Sequence, residues 1–368
     1  MNPEGKVFIV GGGPAGLAAS IALRRKGFAV TVGDGSASPV DKACGEGLLP
    51  DTVAALRQMG VELETKEGYL LRGIRFLANG VAVSAEFAGG MGIGLRRTVL
   101  HSKMTAQAAK LGVRLLWNSP VSGFSAAGVR IRGEFIPASL LIGADGSGSR
   151  LRRWAGLEAG TRKTRRYAFR NHFRLAPWSE YVEVYWADDA QAYVTPVSDE
   201  EVCIVVLSEK PEMRTAIIAR KFPDLAARVG NARLLGAERG AITTTHRLRR
   251  VYRDNVVLVG DASGAVDAIT GEGLGLSFQH AAALADLLPS RNLREYQRVH
   301  QRLQLRPSLM GSLLSLLGRK QFVRERAFRA FAAEPPLFSQ LLDLHLGHGT
   351  RSQAAIAATR LGLRFAAC

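Results

Sequence analysis

Lys6-Val-Phe-Ile-Val-Gly-Gly-Gly-Pro-Ala-Gly16 decides the fold. Val7, Phe8, Ile9 and Val10 form a short apolar run stopped at once by glycine, the pattern of a buried strand. Gly11, Gly13 and Gly16 follow in Gly-x-Gly-x-x-Gly spacing. Over residues 15–25 Leu17, Ile21 and Leu23 fall at helical intervals, and Arg24, Arg25 and Lys26 suit the negative end of the helix dipole. Strand, tight turn and helix together aim bare backbone N–H groups and a positive helix end at one point, which suits a pyrophosphate. A second strand, residues 29–32, runs into Asp34, roughly 20 residues beyond the first glycine, where an acidic side chain accepts the ribose hydroxyls of an adenine dinucleotide.

Working outward, the chain has 368 residues, room for two domains or one interleaved fold. At 47% hydrophobic and 22% charged it can bury an ordinary globular core, which excludes a disordered chain. The net charge is +17, carried mostly by Arg. The basic residues are scattered rather than gathered in one block. That argues for solvated faces and against a nucleic-acid footprint, while the field still favours a phosphate-rich cofactor. Three cysteines, Cys44, Cys203 and Cys368, make neither a disulfide framework nor a metal-binding spacing, so no metal is expected. Residues 1–5 do not read as a signal peptide, no apolar run is long enough to span a membrane, and Phe-Ala-Ala-Cys368 is not a prenylation box. The expectation is a cytoplasmic protein with reduced thiols.

Cys44-Gly-Glu-Gly47 reads as a loop where backbone approaches something closely. A helix is expected from Asp51, as N-cap, to Met59, and a hairpin over residues 73–87 turning at Asn79-Gly80. A helix opened by Arg96-Arg97 comes next, then strands at 113–117 and 140–144, the latter running into Asp145-Gly-Ser-Gly-Ser-Arg150. Strands at 167–175, 181–186, 191–197 and 202–207, with no helix between them, predict an antiparallel sheet. Helical pattern returns at 213–229. A buried strand at 256–259 leads through Gly260-Asp261 to a glycine-punctuated turn, and helices dominate the rest. The parallel-sheet strands are split by this run, so the antiparallel sheet is an insertion.

Three stretches, Gly11-Gly-Gly-Pro-Ala-Gly16, Gly143-Ala-Asp-Gly146 with Arg150, and Gly260-Asp261 leading to Gly271-Glu-Gly273, together resemble the flavoprotein monooxygenases of the para-hydroxybenzoate hydroxylase fold and the related geranylgeranyl reductases. The resemblance covers about residues 5–290. It implies an α/β fold: a doubly wound, Rossmann-like FAD-binding domain (1–72, 96–165 and 246–300), an inserted antiparallel β-sheet substrate domain (73–95 and 166–245), and a C-terminal helical region (301–368). It also implies FAD on Gly11, Gly13, Pro14, Ala15, Gly16, Asp34, Gly45, Arg97, Asp145, Asp261, Gly271, Gly273 and Leu274. The N–H groups of Gly273 and Leu274 would stabilise charge at the flavin edge. NADPH or NADH would bind only transiently, and no second glycine fingerprint is present to hold it.

The sequence departs from the hydroxylases after Gly260-Asp-Ala, where Ser263-Gly264 and Asp267-Ala268 stand in place of a His and a Pro-Pro-like element. That version, like the Cys44-Gly45 loop, resembles the geranylgeranyl reductases. Cys44 and Glu46 are the candidate acids, with a small buried thiol and a solvated carboxylate as the plain alternatives. Arg170, His172 and Arg174 share one strand face, expected to be a solvated row, with steering of an anionic substrate or of NAD(P)H as the alternative. His172, Tyr185, Tyr193 and Pro196 are the candidate substrate-pocket residues. The leading expectation is an NAD(P)H-dependent monooxygenase hydroxylating or epoxidising an apolar or aromatic, polyketide-like molecule. The alternatives are a reductase of C=C bonds in a lipophilic substrate and a non-catalytic FAD module. The amphipathic, Arg-rich C-terminal helices are expected to cap the core or to touch a membrane peripherally.

Overall fold

The computed structural model describes residues 5–367; Met1–Glu4 and Cys368, on which the leader and prenylation readings partly rest, lie outside the described residues. The opening stretch folds as strand Lys6–Val10 and helix Pro14–Arg25, with Pro14 at the first helical position where its missing N–H costs nothing. Lys6–Val10 is central in a six-stranded sheet, in the order Tyr252–Arg253, Val256–Leu258, Leu140–Gly143, Lys6–Val10, Ala29–Gly33, Arg114–Leu116. All neighbours are parallel except the Tyr252–Arg253 edge. Strands buried on both faces need continuous apolar runs, which is why Val7, Phe8, Ile9 and Leu140, Leu141, Ile142 carry no polar residue. Helix Pro14–Arg25 packs against Arg97–Lys110 and Gly273–Leu287. A meander of Val121–Ser125, Gly128–Ile131 and Glu134–Pro137, absent from the sequence reading, joins the same core through Val121, Val129 and Ile131.

The second sheet is larger than expected. Its strands run Gly264–Ala265, Arg239–Leu248, Gly160–Arg174, Glu201–Ser208, Ala190–Ser198, Tyr181–Trp186, Gly73–Ala78, Val81–Glu86, with Arg233–Leu234 added beside Gly160–Arg174. The hairpin turns at Asn79-Gly80 as read, both with positive φ. It docks on Tyr181–Trp186 in parallel, so this sheet is antiparallel with one parallel seam. One face is covered by the short helices Ile218–Lys221 and Pro223–Val229 through Ile218, Phe222 and Leu225. The other looks toward helices Leu293–Arg319, Gln321–Ala333 and Pro335–Leu346. The expected N-cap Asp51 sits instead inside the first turn of helix Pro50–Gln58, because Pro50 takes the first position and Leu49 the cap. Among the described residues no helix is long and apolar enough to cross a membrane.

Candidate active site

A cavity of about 910 Å³ runs from the C-terminal edge of the parallel strands into the space between the large sheet and the C-terminal helices. At the parallel-sheet end it is lined by Gly11, Gly13, Pro14, Ala15, Asp34, Cys44, Gly45, Glu46, Arg97, Asp145, Asp261, Gly271, Gly273 and Leu274. Every residue assigned to the cofactor by resemblance is therefore gathered here except Gly16, which lies behind the turn.

The glycines divide by what requires them. A Cβ on Gly16 would stand 1.9 Å from the Gly11 carbonyl oxygen, and one on Gly11, whose φ is +109°, 2.4 Å from the Ala144 carbonyl oxygen. Backbone packing alone demands both. Gly13, Gly45 and Gly273 have ordinary φ and no protein atom within 4 Å of such a Cβ. Nothing in the chain asks for glycine at these three lining positions, and their open space leaves room for a group to lie directly on the backbone. A second observation agrees: Arg97 lines the cavity with its Nε buried and without a hydrogen-bond partner. A guanidinium left open between a glycine turn and a carboxylate loop suits a phosphate. The residues present fit FAD.

Asp34 is aligned in advance, accepting from the Gly12 and Ser36 N–H groups, each at 2.7 Å. His101, not noticed in the sequence, is fully buried with Nε2 2.9 Å from the Gly12 carbonyl, and burial holds its pKa below the usual imidazole value. Asp145 lines the cavity, but its carboxylate accepts from Ser149 Oγ and from the Arg150 and Leu151 N–H groups, closing the start of helix Arg150–Trp154. Asp261 is exposed to the cavity at the head of the turn that follows Val256–Leu258.

The loop of residues 41–47 overturns the solvated readings. Glu46 is only 2% exposed and has φ +59°, a conformation that side chains rarely adopt. Three hydrogen bonds from two elements, the start of helix Arg97–Lys110 and strand Gly160–Arg174, hold it there. Oε1 accepts from the Arg97 N–H (2.9 Å) and from Arg170 Nη1 (3.1 Å), and Oε2 lies 2.6 Å from His172 Nε2. Arg170 in turn makes two bonds to Asp41, at 2.8 and 3.0 Å. Against the opposing pull of burial, these contacts keep the Asp41 carboxyl below its usual pKa. Arg170 and His172 are thus buried, 4% and 3% exposed, while Arg174 alone of that row is solvated. Glu46, His172 and Cys203 place three ligand-type atoms within 4.8 Å of one another, but Arg170 already supplies the cation beside Glu46. Burial, then the Glu46 charge, pushes the Cys203 thiol up in pKa, away from the thiolate a metal needs. Cys44 is free, half-buried and open to the cavity.

The far end of the cavity is apolar, walled by Phe76, Val184, Trp186, Leu317, Phe331 and Phe338 among others. Of the expected substrate residues only Tyr193 lines it, its hydroxyl donating to the Ile269 carbonyl at 3.1 Å. Three are corrected. Tyr185 points to the opposite sheet face, where its hydroxyl donates to Glu183 at 2.7 Å; the pleat turns the neighbouring Trp186 inward instead. Pro196 packs its carbonyl against Gly94 rather than lining the cavity. His172 lies beneath the Glu46 loop, not in the pocket.

One pair escaped sequence reading. His345, on helix Pro335–Leu346, lines the cavity with Nε2 3.2 Å from the Thr270 carbonyl, and its Nδ1 faces Glu272 Oε2 at 3.4 Å. Burial raises the Glu272 carboxyl to about 7 against the opposing charge of Arg306, and burial lowers His345 to about 4. No local signal links two residues more than seventy positions apart.

A menaquinone reductase from Mycobacterium tuberculosis is 28% identical over 322 residues, covering 80% of this chain and 78% of that protein. A digeranylgeranylglycerophospholipid reductase from Methanothermobacter thermautotrophicus is 27% identical over 335 residues, covering 81% and 83%. Among solved structures, a flavoprotein/dehydrogenase from Cytophaga hutchinsonii superposes with a TM-score of 0.84 at 17% identity, over 98% of each chain, which shows a shared fold. The model of the FAD binding domain family matches residues 4–291, most of the chain and every lining segment of the parallel-sheet end. The chain belongs to the FAD binding domain family, and it is an FAD-dependent oxidoreductase.

Proposed function

We propose that this enzyme reduces C=C bonds in a lipophilic, isoprenoid-like substrate. The observation that carries the reading is the apolar half of the cavity, which continues from the Gly271–Leu274 turn between Trp186, Phe76 and the C-terminal helices without a charged residue to grip a polar substrate. An enclosure of this kind selects by shape and by apolar burial. Relatives named as reductases of menaquinone and of a digeranylgeranyl lipid support it.

FAD, when bound, would supply the hydride chemistry, with NADPH or NADH as the transient reductant. The chain's own part is positional. The N–H groups of Gly273 and Leu274, at the start of helix Gly273–Leu287, would stabilise negative charge at the flavin edge. Arg97 would balance the cofactor phosphates, while Asp34 and Asp261 would accept from its hydroxyls. Cys44 would hold a proton at Sγ on the cavity wall for the substrate carbon that does not take the hydride. Glu46 has both oxygens engaged and so positions the Cys44 loop rather than donating. The apolar walls exclude water.

Oxygen insertion, the leading expectation from sequence, is the second reading; the same water-excluding walls around the flavin favour it. One experiment separates the two. The reduced enzyme is mixed with a detergent-solubilised polyprenyl substrate, with and without oxygen. Product gaining the mass of H2 per double bond in the absence of oxygen supports the reductase. Product gaining the mass of one oxygen atom, formed only with oxygen, replaces it with the monooxygenase.

A further inference from the structure

Helix Leu293–Arg319 is inside out. Its buried residues include His300, Gln304, Pro307, Gly311, Ser315 and Gly318, small or polar groups that let it lie close to the body of the protein. Its outward face carries Leu305, Leu309, Leu313 and Leu316, exposed by 59%, 65%, 47% and 45%. A helix at a water boundary shows the reverse arrangement. Single exposed apolar residues are ordinary, and the other large ones, such as Leu70, Phe135 and Ile356, are scattered one to an element. Here four follow one another at steps of three and four, and Phe322, 60% exposed, continues the patch on the next helix.

The charges on the same face are ordered. Arg294, Arg298 and Arg302 precede the leucines at the same helical spacing, and Arg319 and Lys320 follow them; all five are exposed. Arg298 and Arg319 have carboxylate partners, Glu295 and Glu209, but from Tyr296 to Lys320 the sequence contains no acidic residue at all. An apolar strip flanked by basic residues matches a surface with apolar interior and anionic rim. It does not match a second copy of this chain, whose net charge is also +17. Two of the four leucines, Leu313 and Leu316, also line the cavity, with Met310, Leu314 and Leu317 of this same helix, so the strip runs on into the cavity.

We propose that the outward face of helix Leu293–Arg319 docks on an anionic lipid bilayer, lying in the interface so that a lipophilic substrate passes into the cavity beside the leucines. The docking rests on the exposed residues; only its purpose rests on the proposed function. Leucine side chains enter the acyl boundary while the arginines stay at the headgroups, the geometry of an interfacial helix.

The test is flotation of the FAD-loaded protein with vesicles of phosphatidylcholine alone and of phosphatidylcholine with phosphatidylglycerol. The parent should float with the anionic vesicles and little with the neutral ones. L305E/L309E, two exposed positions outside the cavity lining, should keep the melting temperature and lose anionic-vesicle binding by about tenfold or more. R294Q/R302Q should weaken binding and reduce its salt dependence. No flotation of the parent, or equal flotation of L305E/L309E, overturns the proposal. So does a parent that self-associates in solution through this face while L305E/L309E stays monomeric. Turnover of detergent-solubilised substrate separates the two readings: the variant should match the parent there and fail only with substrate in vesicles. Vesicle binding without turnover of any polyprenyl substrate would overturn the function and leave the docking standing.

Discussion

The two ends of the cavity are made of different material. The end at the parallel sheet is rich in backbone, a glycine turn and two helix starts with their N–H groups, and in polar side chains such as Asp34, Lys42, Arg97, Asp145 and Asp261. The substrate end is side chain: Phe76 from the hairpin, Trp186 and Tyr193 from the large sheet, Leu317, Phe331 and Phe338 from the C-terminal helices. Backbone recognition needs residues that are adjacent in the chain and tolerates almost no substitution at its glycines. Side-chain recognition draws on distant segments and tolerates exchange of one apolar residue for another. A fold of this kind therefore keeps its cofactor constant while its substrate wall is free to vary.

The largest effect tests the backbone end. Gly16→Val places new atoms against the Gly11 carbonyl and should abolish soluble folded protein, a loss beyond about 4 kcal/mol. Gly13→Ala, with empty space around its Cβ, should fold and melt like the parent without FAD but bind FAD far more weakly. Flavin absorbance after gel filtration reads the second, circular dichroism the first. A Gly13→Ala protein that retains FAD would show that the turn is shaped by packing alone.

Next comes the hinge between the two ends. Glu46→Ala leaves Arg170 and the Arg97 N–H facing a buried gap and should cost about 3–5 kcal/mol in chemical denaturation. Glu46→Gln should recover part of that and leave Cys44 accessible to a thiol reagent at the parental rate if its role is positional. Phe338→Ala, in contact with Phe76 and Phe331 at ring separations of 5.0 and 5.3 Å, should cost about 3 kcal/mol and change substrate preference, yet leave FAD content untouched. Loss of FAD in that variant would break the division between the ends.

The smallest effect concerns Glu272 and His345, where the ends meet. Glu272 is raised, so the folded chain keeps a proton the unfolded chain has released. Its contribution is full below about pH 4.5 and fades as pH rises through 7. His345 is depressed, so its contribution is full above about pH 6.5 and fades as pH falls through 4. Between these limits the two slopes oppose each other, and Arg306 and Asp51 also face Glu272. Relative to the parent, Glu272→Gln should give a melting temperature that climbs with pH from about 4.5 to 7. His345→Asn should give one that falls, relative to the parent, from about pH 4 to 6.5. Parallel curves for parent and variants would show the pair to be unlinked to stability.

The same contrast explains what was legible in the chain. The strand-turn-helix of residues 6–25, the acid at Asp34 and the three glycine-bearing stretches could be read because their geometry is local and their residue types are nearly obligatory. Arg170 and His172 were misread because strand periodicity places them on one face but does not say what lies on that face; a loop 120 residues earlier covers them. Tyr185 and Trp186 could not be told apart, since a one-residue difference in register decides which of two aromatic neighbours turns inward. His345 carries no motif and reaches the cavity only through the packing of helix Pro335–Leu346. By itself, then, the sequence determined the fold class and the cofactor and singled out the glycine turn that lines the cavity, because backbone chemistry is written in consecutive residues. Tertiary structure alone decided the buried Glu46 network, the apolar wall and the exposed leucine face, because burial is a property of what the rest of the chain brings alongside.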